Sequence, residues 1–259
     1  NREVMMMNFT LSNQVQIPAV GIGTFMMTPD QAEQAVVDAL ACGYRMIDTA
    51  QAYMNERAVG RGIKRSGVAR EDIFISTKIW ASQYLTEGTV EKSLELLGTD
   101  YIDLMFIHQP AGDFMAGYRK LETVAIRPMV NQIEMHPYFA QESALKVMEE
   151  YQIVPEAWAP LGGGRHNPFE NEMVKEIADV HGKTVGQIVL RWNVQRGVVV
   201  IPKSVHKARI EENFQIWDFT LTEEEMQRIS SLDLGYQGTA VKHFDPEFVK
   251  MCNTRKIHE

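Results

Sequence analysis

The proton chemistry of carbonyl reduction could be shared by four side chains in the first half of the chain, which are Asp48, Tyr53, Lys78 and His108. That reaction needs a proton donor for the alkoxide that forms while hydride arrives at carbon. Tyrosine, with a pKa of ~10, is a poor donor near neutral pH unless a nearby cation favours its phenolate. Lys78 could supply that cation, Asp48 could hold it charged and in place, and His108 could donate a hydrogen bond to the carbonyl oxygen.

Each of these residue types also has an ordinary structural role, which stays open at this point. An Asp at a strand end usually caps the next turn, and a Tyr in a loop usually packs against its neighbours. A Lys at a strand end is usually solvated, and a His after an apolar strand is more often a hydrogen-bonded core residue than a catalyst. The chemical interpretation therefore depends on whether the fold brings all four together.

Predicted strands place three of the four side chains at equivalent positions. Strands 44–48, 73–78 and 102–108 end on Asp48, Lys78 and His108, and Tyr53 lies in the loop after the first strand. Barrel enzymes form their active sites at the carboxyl ends of successive parallel strands, where several loops converge. The spacing therefore favours a shared site.

The rest of the sequence alternates strands with helices after a short hairpin at 9–11 and 15–17. This alternation predicts parallel strands joined by right-handed crossovers, and no linker or change of composition divides the chain. We therefore expect a single α/β domain over residues 1–259, a (β/α)8 TIM barrel. The other strands are predicted at 19–23, 129–134, 154–158 and 198–201. The helices are predicted at 28–43, 55–65, 89–97, 116–122, 141–151, 171–181, 184–196, 207–213 and 222–232.

The predicted parallel strands number seven, one fewer than an eight-stranded barrel needs. The shortfall lies between Glu122 and Pro128, because a helix that begins near Ala116 leaves no room for a further strand before residue 129. A barrel without one strand would have two edges with unpaired backbone groups. Two explanations stay open: one β/α unit has been lost and the barrel is distorted, or residues of that unit are absent from this numbering.

The composition argues against several classes of function. The 259-residue chain has a formal net charge of −8, which disfavours nucleic-acid binding over its whole surface, and it has no apolar run long enough for a membrane span. Its two cysteines exclude a disulfide framework. We expect a monomeric cytoplasmic protein that acts on a small molecule, without a metal, membrane or nucleic-acid partner. Four histidines lack metal-ligand spacing and are interpreted as structural or surface residues: His136, His166, His181 and His243.

Six separated motifs occur along the chain: Gly23-Thr24-Phe25, Asp48-Thr49-Ala50-Gln51-Ala52-Tyr53, Thr77-Lys78-Ile79-Trp80, Ile107-His108-Gln109-Pro110, Asn131-Gln132-Ile133-Glu134 and Ile201-Pro202-Lys203-Ser204. In identity and order they resemble the aldo-keto reductase superfamily, over nearly the whole chain. The resemblance is greatest to bacterial and protozoan small-carbonyl and 2,5-diketogluconate reductases. It implies a (β/α)8 barrel that binds NADPH in an extended pose, with a catalytic tetrad at Asp48, Tyr53, Lys78 and His108.

A cofactor site is indicated by basic side chains after the last predicted strand. A Rossmann dehydrogenase is disfavoured, because the run 21–26 lacks the third glycine of Gly-x-Gly-x-x-Gly. Lys203 and Ser204 follow the last strand and Arg209 opens the next helix, which together predict an anion site. On an acidic chain this cluster favours the 2′-phosphate of NADP over the ribose of NAD, with ordinary solvated charges as the alternative.

Further cofactor residues are assigned with help from the resemblance. Trp158 would stack on the nicotinamide, with core packing as its alternative role, and glycines 162–164 would let backbone N–H groups approach a pyrophosphate. Asn131 and Gln132, taken as amides at a strand end, suit the carboxamide. The Gly-Val-Ser-Asn-Phe motif that serves the carboxamide in the family is absent. The full predicted set is Gly23, Thr24, Asp48, Asn131, Gln132, Trp158, Leu161, Gly162, Lys203, Ser204, Val205 and Arg209, with Glu212 and Asn213 at the adenine.

These interpretations predict an NADPH-dependent oxidoreductase that reduces aldehydes or ketones, with Tyr53 as the proton donor. The substrate is expected to contact Phe25, Trp80 and His108, together with the segment beyond Asp233. Two alternatives stay open. The first is a non-catalytic subunit that binds cofactor and a partner protein, and the second is a different barrel enzyme that uses Lys78 as a Schiff base.

Overall fold

A computed structural model describes residues 7–122, 128–235 and 245–257 of the chain. The chain packs as two compact units, which are described separately. As far as their residues are described, unit 1 comprises 1–22, 42–44 and 128–237, and unit 2 comprises 23–41, 45–127 and 238–259.

The described residues contain nine strands and ten α-helices. In chain order the strands are β1 (Asn8–Thr10), β2 (Gln16–Pro18), β3 (Ile22–Gly23), β4 (Met46–Asp48), β5 (Phe74–Ile79), β6 (Leu104–Ile107), β7 (Val130–Glu134), β8 (Val154–Trp158) and β9 (Val199–Val200). The helices are α1 (Pro29–Cys42), α2 (Glu56–Ser66), α3 (Thr89–Leu97), α4 (Phe114–Glu122), α5 (Glu142–Glu150), α6 (Glu172–His181), α7 (Val185–Gln195), α8 (Lys207–Phe214), α9 (Glu223–Ser230) and α10 (Pro246–Thr254). Within the described ranges, no helix has the length and apolar character of a membrane span.

The sheet that carries the predicted proton chemistry has the strand order β3-β4-β5-β6. Strands β4, β5 and β6 are parallel, with Asp48 opposite Ser76 and Lys78 opposite Phe106. All six residues of β5 are buried, as expected for a central strand that is covered on both faces. Because parallel strands align their carboxyl ends, the ends of β4 and β6 lie at the same edge of the sheet as Lys78.

The helices of unit 2 follow local sequence signals. Thr28 and Gln31 form a capping box ahead of α1, in which Gln31 N donates to Thr28 Oγ1 over 3.3 Å and Thr28 N donates to Gln31 Oε1 over 3.0 Å. Helix α2 packs closely on α3 at Gly60, where a Cβ would lie 2.3 Å from the carbonyl oxygen of Leu97. Only glycine allows this approach.

Unit 1 contains the antiparallel hairpin β1–β2 and a parallel sheet of order β7-β8-β9. Helix α7 lies in its core behind a second capping box, formed by Thr184 and Gln187. Trp192 of α7 is fully buried and donates Nε1 to Ser230 Oγ in α9 over 3.1 Å. Its cluster includes buried aliphatic side chains, each of which contributes roughly 1.5–3 kcal/mol to stability: Val174, Ile177, Ile188, Val189, Leu221 and Ile229.

The strand–helix alternation predicted from the sequence is confirmed, because the hairpin and all seven further strands are present, most of them with bounds shifted by a few residues. Helix α10 was not predicted from the sequence. It begins at Pro246, and Asp245 Oδ1 before it accepts from Glu247 N over 2.9 Å. That pattern is an ordinary helix start. The predicted shortfall falls on residues 123–127, which lie outside the described residues.

Candidate active site

The centre of the candidate site is a buried ion pair in unit 2 between two neighbouring strands. Lys78, near the end of β5, donates from Nζ to Oδ2 of Asp48, at the end of β4, over 2.5 Å. Nζ also donates to the carbonyl oxygen of Thr49 over 2.8 Å, and Ser76 Oγ donates to Asp48 Oδ1 over 2.8 Å. A buried pair persists only where its other donors and acceptors are also satisfied. Here the carbonyl oxygen of Thr49 accepts from Lys78, and the hydroxyl of Ser76 donates to Asp48.

Tyr53 reaches the same ammonium group from the loop after β4. A short 3-10 turn, Gln51–Tyr53, places its hydroxyl 3.3 Å from Lys78 Nζ, which donates to it. Met54 ends this turn with a φ of 55°. Because the hydroxyl oxygen accepts from a cation, negative charge that develops on that oxygen would be stabilised.

His108 follows β6 directly, and its imidazole stands edge-on to the rings of Tyr53 and Trp80. The ring centroids are 5.7 and 5.0 Å apart. Burial lowers the pKa of His108 well below its usual range, and the charges of Lys78 and Arg255 lower it further. The ring is therefore neutral at pH 7 and carries one N–H donor. Unit 2 thus brings all four predicted side chains to one place.

Asn55 anchors the loop that carries Tyr53, although the sequence analysis did not select it. Its buried side chain donates Nδ2 to the carbonyl oxygens of Thr24 and Met27, over 2.9 and 3.2 Å. Its Oδ1 accepts from Thr49 Oγ1 over 3.0 Å. An Asn just before a helix that begins with Glu indicates an N-cap, but its side chain makes no capping bond to α2. The local sequence therefore suggested that Asn55 caps α2, whereas in the structure it anchors the loop.

A second buried network, also missed from the sequence, ties the same loop to α3. Gln51 donates Nε2 to Ser93 Oγ over 3.1 Å, and its Oε1 accepts from the backbone N–H of Trp80 over 3.1 Å. Ser93 donates to Glu56 Oε2 over 3.3 Å, and Thr77 donates to Glu56 Oε1 over 2.7 Å. Burial raises the pKa of Glu56 against the opposing effect of these bonds. Both networks hold the loop of Tyr53 in place.

Two aromatic side chains predicted to meet the substrate border the tetrad. Phe25 is 57% exposed, and its ring centroid lies 5.1 Å from that of Tyr53. Trp80 is buried and donates Nε1 to the carbonyl oxygen of Cys252 in α10, over 2.8 Å. Part of the segment beyond Asp233 therefore holds Trp80 in place, and contact of that segment with the substrate stays a prediction.

The residues predicted for a 2′-phosphate lie around the start of α8 in unit 1. Lys203 and Arg209 are exposed, and neither forms an ion pair within the described residues, whereas Lys207 of the same helix comes within 3.9 Å of Glu211. Ser204 is buried, and its Oγ accepts from His206 N over 3.1 Å. Exposed cations beside a helix N-terminus fit a phosphate group.

Three glycines follow β8 with positive φ: Gly162, Gly163 and Gly164 have values of 91°, 58° and 78°. A Cβ on Gly162 would lie 2.0 Å from the carbonyl oxygen of His166, so only glycine fits there. A run of this kind can turn backbone N–H groups toward an anion. The N–H of Gly162 itself donates to the carbonyl oxygen of Ala159 over 2.9 Å. The half-buried Trp158 ends β8, and Leu161 packs against the core of unit 1.

Asn131 and Gln132 lie within β7 rather than at its end, which corrects the predicted placement. Pairing with β8 continues to Glu134, which lies opposite Trp158, so the strand runs two residues beyond Gln132. Asn131 is exposed, and Gln132 donates Nε2 to Glu156 Oε1 over 2.5 Å. Their contact with a carboxamide stays a prediction.

The two residues assigned to adenine are neighbours in α8 of unit 1. Glu212 Oε1 accepts from Thr184 Oγ1 over 2.9 Å, and its carbonyl oxygen accepts from Gln187 Nε2 over 3.1 Å. Asn213 is buried. Glu212 therefore has a structural role, and the contact of both residues with adenine stays a prediction.

The histidines singled out from the sequence belong to unit 1 where they are described. In unit 1, His136 is buried 3.4 Å from Glu134 Oε1, and His181 binds Glu225 Oε1 over 2.9 Å. His166 packs on His136, with ring centroids 5.2 Å apart. In the described part of the chain no three His, Cys, Asp or Glu side chains are grouped as metal ligands. His243 lies outside the described residues.

Comparison with known proteins identifies the family. The model of the Aldo/keto reductase family matches residues 19–124 and 115–234. The chain belongs to the aldo/keto reductase family. It is 42% identical over 257 positions to the 9,11-endoperoxide prostaglandin H2 reductase of Trypanosoma cruzi (strain CL Brener), which covers 86% of this chain and 90% of that protein. It is 40% identical over 254 positions to the glyoxal reductase of Bacillus subtilis (strain 168), which covers 86% and 91%.

A solved aldo-keto reductase agrees with this assignment. The Bombyx mori aldo-keto reductase in complex with NADP superposes with a TM-score of 0.84 at 29% identity, over 96% of this chain and 98% of that one. Family membership confirms the predicted fold class, an α/β protein of the (β/α)8 barrel type, and the predicted class of oxidoreductase. Aldo-keto reductases carry out carbonyl reduction with a nicotinamide cofactor.

The comparison also bears on the predicted shortfall of one barrel unit. Because 86% of 259 residues is about 223, roughly 34 of the 257 positions aligned with the Trypanosoma cruzi protein have no counterpart here. One unit of a barrel of ~250 residues is about 31 residues long. The two stretches that match the family model overlap at 115–124, next to the interval between Glu122 and Pro128. The positions of this relative without a counterpart here therefore amount to about the length of one β/α unit.

Proposed function

We propose that this aldo-keto reductase reduces small aldehydes or ketones with NADPH, and that Tyr53 is the proton donor. The observation that carries the proposal is the position of Lys78 Nζ, 2.5 Å from Asp48 Oδ2 and 3.3 Å from the hydroxyl of Tyr53. A phenol in this position can release a proton to a substrate oxygen, because the phenolate that remains faces an ammonium group.

Each residue of the tetrad has a separate task in this mechanism. NADPH, when bound, supplies the hydride for the carbonyl carbon. Tyr53 gives its proton to the carbonyl oxygen, and Lys78 stabilises the resulting phenolate. Asp48 keeps Lys78 protonated and fixed by its ion pair. His108, neutral because of burial, donates its one N–H to the carbonyl oxygen and orients it.

The chain offers residues that would hold NADPH. In unit 1 the 2′-phosphate would be held by Lys203, Ser204 and Arg209, and the pyrophosphate by the backbone of the glycine run 162–164 after β8. Support comes from the two exposed cations without ion pairs in the described residues and from the positive φ of the three glycines. The missing Gly-Val-Ser-Asn-Phe motif leaves the carboxamide to Asn131 and Gln132.

The ion pair also disfavours the alternative in which Lys78 forms a Schiff base. An amine must be unprotonated to attack a carbonyl. The Nζ of Lys78 donates to Asp48, Thr49 and Tyr53, which are three acceptors for the three protons of an ammonium group. This geometry supports a charged lysine that stays in place.

The test is a comparison of Tyr53→Phe with the unaltered enzyme. NADPH oxidation would be followed at 340 nm with methylglyoxal, glyoxal, aromatic aldehydes and keto-sugars. The variant should lose at least a hundredfold in kcat/KM, because general acid catalysis contributes about 10²–10⁴. Its affinity for NADPH, measured by fluorescence titration, should be unchanged.

A matched control is Tyr138→Phe, which removes a hydroxyl from a half-buried tyrosine of unit 1 that packs on His166. This variant should keep its activity. Substantial turnover by Tyr53→Phe would contradict the mechanism. Absence of turnover by the unaltered enzyme on every carbonyl of the panel would support the non-catalytic alternative.

A further inference from the structure

Arg255 follows α10 in unit 2 and brings a positive charge to the border of the tetrad. Its Cζ lies 5.4 Å from the ring centroid of Trp80, and the ring centroid of His108 lies 5.0 Å from the same indole. Its Nη2 donates to the carbonyl oxygen of Ala52, the residue before Tyr53, over 3.2 Å. The guanidinium therefore adjoins both the loop of the predicted proton donor and the ring beside His108.

The backbone of Arg255 is held in place while its side chain stays exposed. Ser82 Oγ donates to the carbonyl oxygen of Arg255 over 3.1 Å, and Arg255 N donates to the carbonyl oxygen of Met251 over 3.0 Å. Among the described residues, Arg255 makes no ion pair, although acidic residues outnumber basic ones by 34 to 26 in the chain. Only one of its five N–H groups has a hydrogen-bond acceptor among those residues.

The charge of Arg255 acts on the reaction centre. Burial lowers the pKa of His108 the most, the charge of Lys78 comes second, and the charge of Arg255 comes third. A guanidinium that is held over an aromatic ring, adjoins the tetrad and has no carboxylate of its own among described residues can receive an anion from outside the chain.

We propose that Arg255 binds a carboxylate of the substrate, so that the preferred substrates are aldehydes or ketones with a carboxylate a few bonds from the reacting carbonyl. A guanidinium presents two parallel N–H donors that match a carboxylate. One guanidinium balances one negative charge, which suits a carboxylate better than a phosphate dianion. This inference rests on the proposed function, because it names the substrate class of the same site.

The experiment compares 4-carboxybenzaldehyde with 4-formylbenzamide, which have nearly the same shape and differ in charge. The unaltered enzyme should prefer the carboxylate in kcat/KM. Arg255→Gln should lower that preference about tenfold, which is the effect of losing one charge-assisted pair of hydrogen bonds. Its kcat/KM for the amide should fall by much less, because the amide has no charge to pair with the guanidinium. The control is Lys256→Gln, which removes an equal charge from an exposed neighbour and should keep the preference.

A binding measurement gives a second readout. The carboxylate product, 4-(hydroxymethyl)benzoate, should quench tryptophan fluorescence, and Arg255→Gln should weaken its binding about tenfold. An unchanged substrate preference in Arg255→Gln, or an equal loss on both aldehydes, would overturn the carboxylate assignment. If the unaltered enzyme reduces no carbonyl compound, the proposed function fails, and the binding of 4-(hydroxymethyl)benzoate still decides whether Arg255 receives a carboxylate.

Discussion

Lys78 in unit 2 and Arg209 in unit 1 are both cations predicted to serve the same reaction, but they differ in burial and in the number of their partners. Lys78 is buried, and its ammonium group donates to Asp48, Thr49 and Tyr53. Arg209 is exposed in the first turn of α8 and makes no ion pair within the described residues.

The difference follows from what each charge must do. Negative charge develops at Tyr53 for a moment during the reaction, so a fixed cation stabilises it best when it needs no rearrangement at that moment. A cofactor phosphate arrives from solvent with its charge complete, so the residues that bind it must keep donors available for it. For these two cations, burial with partners suits a role in the reaction, and exposure without an ion pair suits the binding of a phosphate.

The largest expected effect comes from Lys78→Met. Removing the ammonium group leaves Asp48 buried without its cation, so the free energy of unfolding should fall by about 3–5 kcal/mol. The loss of phenolate stabilisation at Tyr53 should lower kcat/KM about a thousandfold, within the range of general acid catalysis. Urea denaturation and NADPH oxidation would measure the two effects.

The matched control for this variant is Lys92→Met, which removes a partly exposed lysine paired with Glu95 on α3. Surface pairs of this kind contribute at most about 1 kcal/mol, so stability and turnover should barely change. A Lys78→Met enzyme that kept a tenth of its activity would break the distinction between the two kinds of cation.

A smaller effect is expected from Arg209→Ala. Loss of one charge at the phosphate site should raise the Michaelis constant for NADPH about tenfold, and the constant for NADH, which lacks the 2′-phosphate, should change less than twofold. The control is Lys207→Ala, an exposed cation of the same helix that already lies near Glu211. Equal effects of Arg209→Ala on both cofactors would refute the assignment.

The smallest effect concerns the pH dependence of stability through His108. Its pKa in the folded protein lies below its unfolded value of ~6.5, so the folded state favours the neutral ring. The corresponding stability is present above pH ~6.5 and is lost as the pH falls, by up to ~1.4 kcal/mol per pH unit. Denaturation at pH 7.0 and 5.5 should show a smaller loss for His108→Gln than for the unaltered protein. A similar loss in both would show that the ring is not held neutral.

Much of the fold and of the tetrad could be predicted because both depend on local patterns. Alternating apolar runs located the strands, and a strand end was enough to place Asp48 and His108 at one edge. Asn55 and Gln51 could not be found in this way. Their roles come from acceptors that folding brings near from distant parts of the chain, such as the carbonyl of Thr24, and no local spacing records such pairs. The strand around Asn131 was predicted at 129–134 and is observed at Val130–Glu134, so only the placement of Asn131 and Gln132 at its end was wrong.

The opposite environments of the two cations imply opposite responses to ionic strength. Ions of the medium screen exposed charges over about 8 Å at physiological salt, whereas a buried pair is screened much less. As the salt concentration rises, the affinity of the basic residues around α8 for a phosphate should weaken, while the interaction of Lys78 with Tyr53 should persist. At high salt the catalytic residues would still work, but a smaller fraction of the enzyme would have NADPH bound. The ionic strength of the medium would then set that fraction.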